Sequence, residues 1–187
     1  MFFSYFRKYV HDILFSIPIE HWVVMFFLAF VLTTFAFFRR YKLWYGVIAF
    51  GITVFVSLFL LDTTVVLRYL DILPHGSGLG YKVGLDRLIH GTIYSRTEVI
   101  SNIAVFVPFG FFLTVFLIST RHFDSWHQFG FVTLAALGFS LCIECLQLFL
   151  DVGYFEVTDL VMNTVGALLG LILVVLLRLI FWKKDCR

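Results

Sequence analysis

Polar side chains interrupt three long apolar segments in the second half of this 187-residue chain. An ionisable side chain at bilayer depth costs at least about 2.5 kcal/mol, so it requires polar partners or a wet cavity. We therefore predict that three helices bring these side chains together in one buried polar cluster. The candidate members are Asn102, Pro108, Glu144, Gln147, Glu156, Asp159 and Asn163.

The spacing of these residues indicates helices with one polar side. In the second segment, polar residues recur at i, i+4, i+7 and i+11, which is one stripe of a helix. In the third segment, Asp159 and Asn163 are one turn apart, and Gly166 and Gly170 extend the same side. Small residues let membrane helices approach closely, and Gly110 would serve similarly beside the helix kink expected at Pro108. The stripe in the second segment consists of Ser140, Glu144, Gln147 and Asp151.

Such a cluster is compatible with several roles. Glu144 and Asp159 could divide general acid and general base work in a membrane enzyme that acts on a lipid-linked substrate. The same carboxyls could relay protons in a small transporter, although five spans without an internal repeat are unlike most transporters. The polar residues could also bond one another only to fix helix register, with Asp159 capping the last helix. The sequence contains no Ser-His or Cys-His pair at a plausible spacing, which favours a non-catalytic protein.

Neither a metal nor a cofactor is expected. Cys142 and Cys145 form a C-x-x-C pair, but they lie in an apolar segment with no second cysteine pair and no nearby histidine to complete a zinc site. We interpret them as small residues at a packed helix seam. The glycines near residue 78 lack the strand and helix of a nucleotide-binding loop, so we read them as part of a flexible connector.

The composition identifies an integral membrane protein. Hydrophobic residues make up 61% of the chain and charged residues 14%, far from the roughly 45–50% and 25% of soluble domains. We predict an all-α bundle of about five transmembrane helices, at 22–38, 44–61, 99–119, 128–150 and 159–181. The expected organisation is an interfacial amphipathic helix (1–20), two N-terminal spans (21–61), an extracytoplasmic loop (62–98) and a three-helix core (99–182).

Basic residues predict the orientation. With five spans, the short segments 39–43 and 120–127 and the C-terminus lie on one side and carry most of the closely clustered arginines and lysines. The positive-inside rule makes that side cytoplasmic. The N-terminus is then outside, and the predicted cluster lies towards the outer face. We expect membrane lipid as a partner, and no nucleic acid; the oligomeric state is left open.

The polar and glycine motifs also resemble a known family. Asn-x5-Pro-Phe-Gly from Asn102, Glu-x-x-Gln from Glu144, and acidic-x-x-Asp-x3-Asn-x2-Gly-x3-Gly from Glu156 are similar to the VanZ-like family of bacterial membrane proteins. The sequence departs from the family at Gly153, where many members have arginine, and at Glu156, where aspartate is commoner. The resemblance implies a plasma-membrane protein of the cell envelope that lowers susceptibility to teicoplanin-class glycopeptides. It would do so by binding or altering a lipid, a lipid-linked wall precursor or the glycopeptide at the outer face.

Overall fold

Five long α-helices account for most of the described residues. The computed structural model describes residues 17–38, 44–70, 81–82, 93–120 and 125–182, together with Arg7, Lys8, His11 and Phe15. The all-α bundle predicted from the composition is confirmed. The helices are α1 (Ile19–Phe38), α2 (Trp44–Leu61), α3 (Ile93–Thr120), α4 (Ser125–Phe149) and α5 (Val157–Trp182).

Within the described residues, four helices contain stretches that are long and apolar enough to cross a bilayer. These stretches are Gly46–Tyr69, Val99–Ser119, Trp126–Phe149 and Val157–Ile180. In α1, the stretch Ile19–Ala29 is also apolar, but it is shorter than these four. Most of the predicted interfacial helix, most of the predicted loop 62–98, and the basic segments 39–43, 121–124 and 183–187 lie outside the described residues.

The helical path of α2 continues beyond Leu61, where we had placed the start of the loop. A π-helical turn, Asp62–Val66, follows directly, and Leu67–Tyr69 is again α-helical. The hydroxyls of Thr63 and Thr64 donate back to the carbonyls of Phe59 and Leu60, at 2.9 and 2.6 Å. These polar residues read as loop in the sequence, but the helix can include them because their hydroxyls find acceptors on its own backbone.

The most extensive helix contact joins α3 and α5, which pack through glycines. A Cβ atom added at Gly166 would lie 2.2 Å from the Ile103 carbonyl oxygen, and one at Gly170 would lie 2.2 Å from that of Val107. On α3, a Cβ at Gly110 would lie 2.0 Å from the Ala167 carbonyl oxygen. The two backbones can approach this closely only because these positions carry no side chain. Pro108 lies within α3, which runs through it as one helix.

The apolar core lies where α2, α3, α4 and α5 meet. Phe109 of α3 stacks on Phe139 of α4 with ring centroids 5.6 Å apart, and Phe106 packs against the same ring at a tilt, 6.1 Å away. The α1 helix packs on α2, where Trp22 lies against Phe55 and Phe59. Large apolar side chains on the outside of α5, such as Leu173 and Leu176, are exposed, as expected for a surface that meets lipid.

Two short strands tie the long connection after α2 to the turn between α4 and α5. Tyr81–Lys82 (β1) pairs in parallel with Phe155–Glu156 (β2), and Tyr81 is in register with Phe155. The sequence showed no strand signal at either place. The pairing holds part of the connection against the end of the bundle where α2 and α4 finish and α5 begins, which we call the polar end.

Candidate functional site

The α4 helix places three polar side chains inside the bundle. Ser140, Glu144 and Gln147 are 0, 2 and 5% exposed, and they lie along one side of the helix as their spacing predicts. Asp151, the fourth residue of the stripe, does not join them. The helix ends at Phe149, and Asp151 is exposed with a φ of 55°. The backbone N–H of Val152 then donates to the Gln147 carbonyl over 3.0 Å, so Asp151 serves to end the helix.

Glu144 holds the turn that follows its own helix. Its Oε2 atom accepts a hydrogen bond from the backbone N–H of Glu156, at 2.7 Å. The carboxyls of Asp159 and Glu156 and the guanidinium of Arg68 are close enough to act on it electrostatically. Glu144 thus lies between the turn, the start of α5 and the extension of α2.

The start of α5 adds two of the predicted residues. Asp159 is the third residue of the helix and not its N-cap, because α5 begins two residues earlier, at Val157. Its carboxyl still lies in the first turn, where the helix dipole favours negative charge. One turn later, Asn163 is buried and donates its Nδ2 to the Ser140 hydroxyl over 2.8 Å. Its Oδ1 atom is also buried and has no hydrogen-bond partner among the described residues.

Gln147 connects the polar stripe to α2. Its Nε2 atom donates to the backbone carbonyl of Thr64, at 3.0 Å, within the π-helical turn. Gly153 lies against the Gln147 side chain, and a Cβ there would approach it to 3.4 Å. The sequence predicts a cluster shared by three helices, α3, α4 and α5. In the described residues the polar contacts join α4 and α5 to the extension of α2 instead.

The two predicted residues on α3 have other positions. Asn102 is half-buried, and no hydrogen bond within the described part of the chain links it to Glu144, Gln147 or Asn163. Pro108 lies two turns further along α3, in the region that packs against α5. What α3 contributes among the described residues is close packing against α5.

Two polar residues at the polar end were missed by the sequence analysis. His21, the third residue of α1, and Asp62, the first residue of the π-helical turn, are joined at 2.6 Å between Nδ1 and Oδ1. Asp62 is 7% exposed. The signal in the sequence is an aspartate directly after the apolar run of α2. It reads as the start of a loop, because the predicted helix ends at the last apolar residue, Leu61.

The cysteine pair is not a packed seam. Cys142 is exposed and Cys145 is half-buried, because they lie on the side of α4 away from the polar stripe.

Among the described residues, no group of three or more His, Cys, Asp or Glu side chains could hold a metal ion. The polar end instead offers hydrogen-bonding atoms and carboxyls next to apolar walls, a combination suited to a polar group attached to a lipid or a peptide.

The chain is similar to known proteins over the region that builds this site. A family model described as VanZ/LLP1 matches residues 64–178. Protein VanZ of Enterococcus faecium is 36% identical over 74 residues, which are 40% of this chain and 42% of that protein. This chain therefore matches less than half of that relative's length. No solved structure matches it.

Proposed function

Because the chain belongs to the VanZ/LLP1 family, we propose that it is a cell-envelope membrane protein that lowers bacterial susceptibility to teicoplanin-class glycopeptides. In this proposal the polar end faces outwards and binds a lipid or a lipid-linked wall precursor, changing how that molecule is presented to the drug. The family match to residues 64–178 includes the polar contacts of Glu144, Gln147 and Asn163, whereas the contact between His21 and Asp62 lies outside it.

The observation that carries the proposal is the buried carboxyl of Glu144. This side chain is 2% exposed within an apolar helix, where an acid is costly to place. It accepts only one hydrogen bond in the described structure, from the Glu156 backbone, while a carboxylate can accept about four. The remaining capacity, together with the unpaired Oδ1 of Asn163, supports a pocket that receives donor groups.

The orientation supports the outward position of this pocket. The N-terminus is outside and the C-terminus cytoplasmic in our proposal, because the basic residues cluster in the segments after α1, after α3 and after α5. The polar end then meets the space where lipid-linked wall precursors carry sugars and peptides. Hydroxyl and amide groups on such molecules are donors that match the acceptors of the pocket.

A single substitution tests the proposal. Glu144→Gln keeps the shape of the side chain and an oxygen that can accept the Glu156 N–H, but it removes the charge. We expect normal abundance in the membrane and a weaker effect on teicoplanin susceptibility. The matched control is Asp151→Asn, which removes an exposed carboxyl at the same end and places a residue that tolerates positive φ. Unchanged susceptibility in Glu144→Gln cells, at wild-type abundance, would contradict the proposal.

A second candidate function is a membrane enzyme that acts on a lipid-linked envelope substrate. Its support is that Asp159 is close enough to Glu144 to act on it electrostatically, so two carboxyls share one site. Acid–base catalysis requires such a pair within reach of the same substrate. The double-mutant experiment in the Discussion separates this candidate from the binding role.

A further inference from the structure

A groove between α1 and α2 is separate from the Glu144 site. It encloses a cavity of about 370 Å³. Its walls include Val24, Leu28 and Leu58, and one end carries the polar side chains of Glu20, His21 and Asp62. A cavity with apolar walls and a polar end is suited to an amphiphilic ligand.

One carboxylate oxygen of Asp62, at the polar end of the groove, has no hydrogen-bond partner among the described residues. Its Oδ1 is held by His21 Nδ1 at 2.6 Å, whereas its Oδ2 is buried and has no hydrogen-bond partner among the described residues. The side chain is 10% exposed. Unpaired buried carboxylate oxygens are rare because they lose water without gaining a donor. We therefore expect a ligand that brings a hydrogen-bond donor to Oδ2.

The charges at this end favour a cationic donor. Glu20 and Asp62 supply two carboxyls, and His21 supplies at most one positive charge. The end of the groove is thus net negative whether His21 is protonated or neutral. A primary ammonium group provides both a positive charge and N–H donors for Oδ2.

The groove also lies where a lipid can enter it. His21 is only two residues from the start of α1, so the polar end is near the level of the headgroups. Val24 and Leu28 are 55 and 41% exposed, which leaves the apolar wall open towards the bilayer. We propose that this groove binds a membrane lipid whose headgroup carries a primary ammonium, with the ammonium on Asp62 Oδ2 and an acyl chain along Val24 and Leu28. The proposal does not depend on the proposed function, because none of these residues lies in the Glu144 site.

Two lipids that differ only in the amine provide the test. Phosphatidylethanolamine has N–H donors, whereas phosphatidylcholine carries the same charges with a trimethylated nitrogen that donates none. The full chain is purified in detergent with equal amounts of both lipids, and the retained lipid is counted by native mass spectrometry. We expect phosphatidylethanolamine to be retained about tenfold over phosphatidylcholine, as one charge-assisted hydrogen bond implies. Equal retention, or a preference for added phosphatidylglycerol, would overturn the proposal.

Three variants locate the site. Asp62→Asn should abolish the preference for phosphatidylethanolamine, whereas the exposed-acid control Asp151→Asn should keep it. Leu28→Trp places a larger side chain in the groove from its exposed side. It should lower the retention of both lipids while leaving Asp62 in place. Thermal unfolding of each variant shows whether it is folded. If Asp62→Asn unfolds, the Leu28→Trp variant decides, and a folded Leu28→Trp protein that retains lipid like the wild type would overturn the proposal.

Discussion

Gln147 and Thr64 are joined across 3.0 Å by a hydrogen bond from the glutamine side chain to the threonine carbonyl. Thr64 lies in the π-helical turn that begins at Asp62. The turn therefore belongs to two sites. Asp62 lines the groove beside α1, and the Thr64 carbonyl accepts a hydrogen bond from Gln147 in the polar stripe of α4. π-Helical turns occur often at functional positions, where they change the direction of side chains along a helix.

Replacing Gln147 tests how far this bond holds the extension of α2. Gln147→Leu removes the donor, and we expect a loss of about 1 kcal/mol in stability. Amide hydrogen exchange over Asp62–Tyr69 should become faster, because the turn loses its contact with α4. The control is Thr133→Val, which removes a bond within α4 on an exposed face. Equal exchange over Asp62–Tyr69 in wild type and Gln147→Leu would show that the bond does not hold the turn.

Two glycines should respond in opposite ways to replacement by alanine, because one lies in the close contact of α3 with α5 and the other lies on an open side of α4. Gly110→Ala would place a Cβ 2.0 Å from the Ala167 backbone oxygen, so the helices must separate, and we expect a loss of about 2 kcal/mol. Gly138→Ala meets nothing within 4 Å and should stabilise α4 by about 0.5–1 kcal/mol. Thermal unfolding in detergent micelles measures both. A Gly110→Ala protein as stable as the wild type would mean that the two helices are not held at this distance.

Much of the fold follows from patterns that are local in the sequence. Long apolar runs predict the helices, and helical spacing places Glu144 and Gln147 on one buried side. The glycines at 166 and 170 signal close packing for the same reason, since their four-residue interval repeats on one side of a helix. These features need no knowledge of which helices are neighbours.

The remaining features depend on contacts between distant residues. The polar group after Leu61 has no helical pattern, although its threonine hydroxyls bond the carbonyls of their own helix. His21 and Asp62 are 41 residues apart, and Gln147 and Thr64 are 83 apart, so no local pattern links them. The grouping of Asn102 with Glu144 by the motif stays a prediction, since Asn102 is half-buried and no hydrogen bond among the described residues joins the two.

The orientation of the chain can be tested with reporter fusions. We expect a reporter at His75 to be extracytoplasmic and one after Arg187 to be cytoplasmic, because the basic segments after α1 and α5 belong on the inner side. His75 is suitable because it lies between α2 and α3. Paired reporters, one active only outside and one only in the cytoplasm, provide the control at each position. A cytoplasmic His75 would place the polar end on the inner side and would contradict its proposed contact with wall precursors.

The final prediction separates binding from acid–base catalysis through Asp159 and Glu144. Asp159→Asn removes a charge from the first turn of α5, where the helix dipole favours it, and should cost about 0.3–1 kcal/mol in stability. If the two carboxyls only help to bind a ligand, each neutral variant should weaken resistance to teicoplanin in part, and the double variant should weaken it further. If they act as general acid and base, either single variant should abolish resistance and the double variant should be no worse, because residues that act as a unit are not additive. The measurement is teicoplanin susceptibility in cells expressing each variant, with membrane abundance determined on the same samples. Full resistance in both single variants at normal abundance would contradict both roles, since both predict weaker resistance when either carboxyl is replaced.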